Sequence, residues 1–152
     1  MPPARSETSS IGAPKFMSAI ASEPSRPAET RFTEVVFPEH ANHYGTLFAG
    51  NALALMAKAA YVSGARYAGC NVVMARSENV EFAEPVRVGE LIEIIAYVER
   101  AGRSSMTVAV EIVREDIASE ARKRVMHGTF EMVAVNKDGR PVAITRNTVQ
   151  EV

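Results

Sequence analysis

Cysteine is almost missing from this chain: one residue, Cys70, in 152. A lone thiol excludes an intrachain disulfide and suits a reducing compartment. An excess of positive charge is missing too. Seventeen Lys and Arg stand against eighteen Asp and Glu, for a formal net charge of -1 and a sequence pI near 6.3. That balance excludes a broad basic nucleic-acid surface but leaves room for a local cluster of arginines on a phosphate. No apolar run reaches the ~18–20 residues that span a bilayer. The opening MPPARSETSSIGAPKFMSAIASEPSRPAET lacks the compact apolar stretch of a signal peptide, since Phe16 to Ala21 is short and broken by serine. The expectation is a cytoplasmic protein with neither a nucleic-acid nor a membrane partner. The three histidines and one cysteine keep no zinc spacing. No P-loop, dinucleotide fingerprint or GxSxG elbow occurs. Neither a metal nor a resident cofactor is implied.

What is present is ordinary for one globular domain: 47% hydrophobic and 23% charged residues. Residues 1–29, rich in Ser, Pro and Ala, read as a flexible arm, 30–142 as the domain and 143–152 as a weakly structured tail. RFTEVVF from Arg31 alternates and carries β-formers, so it predicts a first strand that Pro38 ends. PEHANHYGT is polar and turn-like. From Phe48 or Gly50 to about Tyr67 the spacing becomes helical. Leu53, Met56, Ala57, Ala60 and Gly64 form one apolar stripe, and Ala52, Leu55, Ala59 and Val62 a second. Lys58 is the only charge between Asn51 and Ala65. A surface helix would show a wide polar face, so this one is expected to be wrapped on most sides.

After Gly69 the chain reads as four long strands. They are NVVMARSENVEF, LIEIIAYVER, SSMTVAVEIVRED and ARKRVMHGTFEMVAVN. Ile92, Ile94, Ala96 and Val98 share a face, as do Met106, Val108, Val110 and Ile112, and Met126, Phe130, Met132 and Ala134. Short connections favour antiparallel neighbours. One apolar helix with one sheet to cover it predicts an α+β fold in which the sheet curls around the helix. Such a sheet keeps an outer face and two edges, liabilities that oligomerisation or charge must cover. A dimer at least is expected.

Four segments then carry a resemblance: PEHANHYGTLFAGNALALM at 38–56, VEFAEPVRVGE at 80–90, GRSSMTVAVEI at 102–112 and FEMVAVNKDGRP at 130–141. In this order and spacing the chain resembles the acyl-CoA thioester hydrolases of the hot-dog fold, the YciA-like group and its eukaryotic cytosolic relatives, from about Arg31 to Val142. The resemblance implies hydrolysis of an acyl-CoA to free CoA and a carboxylic acid, with coenzyme A entering only as part of the substrate. It implies a homodimer assembling to a hexamer, a trimer of dimers, with the site at the dimer interface. One subunit gives an Asn from the loop before the helix and the other an Asp on the helix. Here the Asn falls on Asn42, the family's FGG-like turn on Phe48-Ala49-Gly50, and the Asp on Ala57, directly after Met56. A methyl group cannot activate water or attack a carbonyl, as a carboxylate can. Two readings fit: a variant altered at position 57, or a natural member with another base or no hydrolysis. Ala49 and Met74 depart as well, where relatives carry glycine and, after the paired valines, threonine.

Each candidate has an ordinary counterpart. Asn42 positions water or the thioester carbonyl, or it only turns the loop. Gly50 opens a helix start whose N–H groups suit an oxyanion, or it only permits tight packing. His40 and His43 flank Asn42 as possible bases at neutral pH, or are loop histidines; with Ala57 as it stands, His43 is the first substitute base. His127, within a strand, reads as structural. Ser77, Glu78 and Glu81 border the site strand, Ser77 facing the acyl group or solvent. His43, Phe48, Met56 and Ser77 are the candidate substrate pocket, and Met74, Met106, Met126 and Met132 core or acyl lining. Arg103, Ser104 and Ser105 follow Gly102 at a strand start and suit a CoA phosphate, or are an exposed turn. Arg87, Arg122 and Arg124 are weaker phosphate candidates. Besides hydrolysis, a non-hydrolytic acyl-CoA-binding protein of the same fold remains open. A hot-dog hydratase lacks its Asp–His pair here.

Overall fold

A computed structural model of the chain describes residues 26–144. Most of the expected arm and tail lies outside the described residues. Strand β1 (Thr30–Val35) leads through a 3-10 turn (Pro38–His40) to helix α1 (Ala49–Ala68). Strands β2 (Val72–Phe82), β3 (Leu91–Ala101), β4 (Ser105–Glu115) and β5 (Arg122–Ala134) follow. All five strands form one antiparallel sheet in the order β1-β3-β4-β5-β2. Helix α1 carries the chain beneath the sheet from the β1 edge to the β2 edge, which is the hot-dog architecture.

Period-two alternation builds the inner face. Ile92, Ile94, Ala96 and Val98 of β3 and Met106, Val108, Val110 and Ile112 of β4 are all buried, as are Met126, Phe130, Met132 and Ala134 of β5. Against them α1 lays Ala52, Met56, Ala59, Ala60, Ser63 and Gly64. Small side chains let the helix approach closely: a Cβ at Gly64 would stand 3.5 Å from atoms of Met132 and Val72. Burial of the large side chains in this layer stabilises by ~1.5–3 kcal/mol each.

The helix departs from its expected burial. One chain covers one face of α1, drawn from both apolar stripes, and leaves Leu53 37% and Tyr61 42% exposed, with Ala57 half-buried beside them. The cause is geometric, since a five-stranded sheet curls over one side of a helix and no further.

The outer face of the sheet is covered by charge. The Arg26 guanidinium lies over the Tyr97 ring at 3.9 Å. Glu29 accepts from Arg26 at 2.9 Å and from Arg31 at 2.6 Å. Glu93 accepts from Arg31 at 3.3 Å and from Arg122 at 2.5 Å. The two edges differ. β1 has six residues and carries Arg31 and Glu34, whereas β2 has eleven and leaves Val73, Met74 and Phe82 exposed. β2 is the edge open to a further strand.

Residues 26–29 are fastened by this network and by Ser63, whose buried hydroxyl donates to the Ala28 carbonyl at 2.9 Å. Burial works against the charged form of Glu29, but hydrogen bonds from Arg26 and Arg31 and their charges prevail and hold the carboxyl below its ordinary value. A depressed carboxyl contributes stability above its unfolded value and loses it as pH falls through the folded one. Glu29→Gln is therefore expected to lower unfolding free energy at neutral pH by up to ~1 kcal/mol. Below the carboxylate range the two chains should unfold alike. Denaturant titrations at both pH values check this, and a gap that persists in acid would show packing rather than charge.

Candidate active site at the start of the helix

The loop before α1 is organised by one side chain. Asn42 Oδ1 accepts from the Tyr44 N–H at 2.9 Å, the Thr46 N–H at 3.1 Å and the Thr46 hydroxyl at 3.2 Å. The Asn42 N–H donates to the Thr46 carbonyl at 2.8 Å. The turn closes at Gly45, whose φ of 81° favours glycine. The turn-forming role of Asn42 is thus real. Its Nδ2 donor finds no acceptor among the described residues and remains available.

The loop is fastened to the helix through one carbonyl. That of His40 accepts from the Phe48 N–H at 2.9 Å and from Asn51 Nδ2 at 3.1 Å. Phe48, the N-cap residue, offers no side-chain cap, and the first turn holds no acid. Its carbonyl takes the Asn51 and Ala52 N–H groups at 2.9 and 3.0 Å. The N–H groups of Ala49 and Gly50 therefore have no backbone acceptor among the described residues. An uncapped helix start with free donors and a partial positive charge suits an oxyanion. The Phe48 ring lies over this turn: a Cβ at Gly50 would meet its Cε2 at 2.7 Å. Gly50 thus permits tight packing and keeps its N–H open, and the two roles are compatible.

Ala57 stands two turns further on. α1 and β2 run antiparallel, and Gly64 packs beside Val72. With rises of ~1.5 Å per helical and ~3.3 Å per strand residue, Ala57 stands about level with residues 74–76. Met74 pairs with the inward-facing Met132, so it points to the helix side, and it is 40% exposed. Ala57 and Met74 therefore share the open flank beneath the β2 edge, with Leu53 near them.

The other candidates scatter. His43 is exposed, its ring 4.0 Å from that of Tyr44. Met56 has no exposed surface and belongs to the core of the single chain, rather than lining a pocket there. Ser77 is exposed on β2 opposite Phe130, and Glu78 pairs with Arg76 at 2.9 Å. His127 pairs with Glu81 at 3.3 Å on the sheet. Arg103 is exposed and Ser104 and Ser105 half-buried in the β3–β4 turn, whose backbone holds Ala134 and Ile144. The eleven residues of β3 separate that turn from the Asn42 end by ~33–36 Å. One chain cannot bring Arg103 and Asn42 to one small group. Arg122 is engaged by Glu93 and Glu115. Arg87 borders an open depression of about 760 Å³ where Glu84 pairs with Arg114 and Lys123, so its charge is largely balanced. Arg124 and His127 border one of about 200 Å³ on the outer face. No group of acidic, His and Cys side chains suited to a metal occurs among the described residues.

One feature of the site region escaped the sequence: a cleft of about 240 Å³ between β1 and α1, reached by Glu34, His40, Asn51 and Lys58. The signals were present, in Lys58 as a solitary helix charge and in Glu34 at an inward-facing strand position.

A family model described as the thioesterase superfamily matches residues 44–121. The chain is 31% identical over 124 residues to an uncharacterized acyl-CoA thioester hydrolase of Zymomonas mobilis, covering 81% of this chain and 83% of that one. It is 36% identical over 108 residues to acyl-coenzyme A thioesterase 11 of Mus musculus, covering 71% of this chain and 18% of that far longer protein. Among solved structures, the acyl-CoA hydrolase of Staphylococcus aureus in complex with butyryl coenzyme A superposes with a TM-score of 0.75. It is 29% identical, with coverage of 78% and 72%. Alanine variants of the S. aureus enzyme were made at an asparagine, at an aspartate fifteen positions later and at a threonine seventeen beyond that. A hexameric broad specificity acyl-coenzyme A thioesterase, solved as an aspartate-to-alanine variant, matches with a TM-score of 0.73 at 29% identity, over 79% of this chain and 88% of that one.

The two parts of Asn42 are separable. Asn42→Ala removes three acceptor contacts and is expected to cost ~1–3 kcal/mol. Asn42→Asp keeps the accepting oxygen, removes the Nδ2 donor and is expected to stay near the parent in stability. Denaturation together with hydrogen exchange at the Tyr44 and Thr46 amides reads the difference. Equal protection of those amides in Asn42→Ala and the parent would mean that the side chain does not hold the loop.

Proposed function

The chain belongs to the thioesterase superfamily, and from that premise we propose that it is an acyl-CoA thioester hydrolase, releasing free CoA and a carboxylic acid at the start of α1. The observation that carries this is the uncapped helix start, with its free Ala49 and Gly50 N–H groups, held against the Asn42 loop. Water adds to the thioester carbonyl carbon, and the negative oxygen that forms is met by the two N–H groups. The tetrahedral adduct collapses with loss of the CoA thiolate, which takes up the water's proton. Asn42 Nδ2 orients the water or the carbonyl. The coenzyme A portion runs toward an Arg103–Ser104–Ser105 turn, where a guanidinium and hydroxyls meet phosphate.

That route requires a second copy. If two β2 edges pair antiparallel about a two-fold axis, the Val72 end of one strand faces the Phe82 end of the other. The Arg103 turn of one copy, which holds Ala134 beside Val72, then moves toward the Asn42 end of its neighbour. The same pairing covers the exposed Leu53, Val73 and Met74. A homodimer, assembled further to a hexamer as among the solved relatives, is the working state. Light scattering at micromolar concentration is expected to give a multiple of 16.5 kDa, twofold or more; a stable monomer overturns the shared site.

A second reading is favoured by a specific observation: binding of acyl-CoA without its hydrolysis. Asn42, Ala57 and Met74 stand at the same two spacings as the three positions varied in the S. aureus enzyme. This chain keeps the amide but neither the carboxylate nor the hydroxyl. Proton transfer by a placed carboxylate contributes ~10²–10⁴-fold. Thiol release from a panel of acyl-CoAs is accordingly expected to rise by about that factor in Ala57→Asp and further in Ala57→Asp with Met74→Thr. Affinity should change far less. Ala57→Asn matches the shape without the base and is expected to stay at the parent's rate. If the parent already turns over efficiently and Asp adds nothing, position 57 is not the acid slot, and His43 or His40 becomes the base to test.

A further inference from the structure

The edge strand β2 carries two bulges. Its pairing with β5 leaves one extra residue at Ala75, between Met74 and Arg76, and another between Glu78 and Glu81. At the second bulge Asn79 takes a φ of 53°, a left-handed conformation that asparagine tolerates. Val80 then turns inward over Gly128, where a Cβ would meet Val80 Cγ2 at 2.8 Å. The regular stretch between the bulges is Arg76–Ser77–Glu78, centred on Ser77.

The partners on β5 fix which way each β2 side chain faces. Val72, Met74, Ser77 and Phe82 lie opposite the buried Ala134, Met132, Phe130 and Met126 and face the helix side. Val73, Arg76, Glu78 and Glu81 lie opposite Val133, Glu131, Thr129 and His127 and face outward. When two β2 edges join antiparallel about a two-fold axis normal to the sheet, residues set opposite each other must share a face. The regular stretch allows three axes. An axis at Arg76 sets the inward Met74 against the outward Glu78, and Arg76 against its own copy. An axis at Glu78 sets the outward Arg76 against the inward Val80, and Glu78 against its own copy. The axis at Ser77 matches every pair: Val72 with Phe82, Val73 with Glu81, Met74 with Val80 and Arg76 with Glu78. It also sets bulge against bulge, Ala75 with Asn79, so the ladder resumes in step beyond them. The backbone agrees. The Glu78 carbonyl accepts the Thr129 hydroxyl at 3.2 Å and so points to β5, which turns the N–H and carbonyl of Ser77 to the free edge.

We propose that this chain recognises a second copy of itself through β2 in one register, centred on Ser77 and selected by the matched bulges and by Arg76–Glu78 pairs across the axis. The inference rests on the reading above in that it needs a second copy. In the single chain Arg76 and Glu78 bridge at 2.9 Å and are both exposed. Across the axis each meets its opposite in the second copy, so four charges of alternating sign close the outer side. On the inner side Met74 and Phe82, 40% and 44% exposed in the single chain, are covered by Val80 and Val72 of the second copy. The two Ser77 hydroxyls meet at the axis and bond to each other. Like charge at position 76 or 78 of an incoming chain is rejected, so the edge selects its own kind.

The experiment is sedimentation velocity of the full chain over a dilution series, with charge-reversed variants. Arg76→Glu and Glu78→Arg each set like charges opposite one another and are expected to self-associate about tenfold more weakly than the parent. The chain carrying both reversals is expected to return to the parent's strength. An equal mixture of the two single variants is expected to form mixed pairs in preference to either self-pair, read by native mass spectrometry. Ser77→Cys is expected to oxidise to a covalent dimer. Ala75→Cys, ~13 Å from its counterpart in this register, and the parent, with Cys70 alone, are expected to give none. If the single reversals leave self-association unchanged, the double reversal fails to restore it, the mixture shows no preference or Ala75→Cys cross-links in place of Ser77→Cys, the register is overturned. Titration of the parent with CoA then reads the acyl-CoA assignment separately. A parent that stays monomeric overturns this register and the shared site together.

Discussion

Most of this molecule follows from one packing constraint: a single five-stranded sheet can cover only one side of a long apolar helix. The covered side is made of small residues, so α1 sits close to the inner face and its long axis is fixed by contact with β2 through β5. Everything the sheet fails to cover is divided between two flanks. Toward β2 lie Leu53, Ala57, Tyr61 and Met74, apolar and partly exposed. Toward β1 lies the cleft with Glu34 and Lys58. The first flank is an apolar strip and the second an open cleft with charge at its margin. Between them the helix presents its uncapped start.

That start is stable because the loop does the work a cap would do. A helix normally closes its first turn with a Ser, Thr, Asp or Asn side chain. Here Phe48 occupies the position, and the loop is instead secured by Asn42, by the His40 carbonyl and by the pairing of Leu47 with Val86. Two N–H groups remain free at a rigid place. Placing an Asp in the first turn would satisfy them and would also fill the position of a developing oxyanion with a permanent one. The absence of acid there is thus consistent with donors kept for a ligand.

The fold was legible because its signals are local. Alternation at Ile92–Val98 and Met106–Ile112 fixes which side of each strand meets the helix, and the short connections fix antiparallel neighbours. The turn at Asn42 and the helix start next to Gly50 were legible from the loop-to-helix motif. The degree of helix burial was not. Periodicity tells which residues are apolar, not whether the same chain or another covers them, so Leu53 and Met56 look alike in sequence and differ completely in exposure. The cleft was hidden for a related reason, because Glu34 and Lys58 are twenty-four positions apart and only the sheet curl brings them to one opening. Arg103 was legible as a turn arginine at a strand start, but its distance from Asn42, set by the eleven residues of β3, is a property of the sheet and not of the motif.

Position 57 cannot be weighed alone. Had only the carboxylate been exchanged, a hydroxyl at position 74 would be expected to remain on the same flank, facing a space that had lost its partner. A methionine stands there instead, and its inward pairing with Met132 directs it toward the helix side where Ala57 lies. With Leu53, the two make an apolar strip that can close against a second copy with no unsatisfied polar group. A strip so consistent differs from a site with one group deleted. It favours a chain whose sequence is adjusted at two positions to the lack of a carboxylate, so that either another group moves the proton or acyl-CoA is held without being cleaved. Free donors such as those of Ala49 and Gly50 suit both outcomes, since N–H groups at a helix start can hold a thioester carbonyl and, more strongly, the oxyanion that attack would form. What separates the two is therefore not the uncapped helix start, which suits either, but a group that activates water, which the apolar strip does not supply.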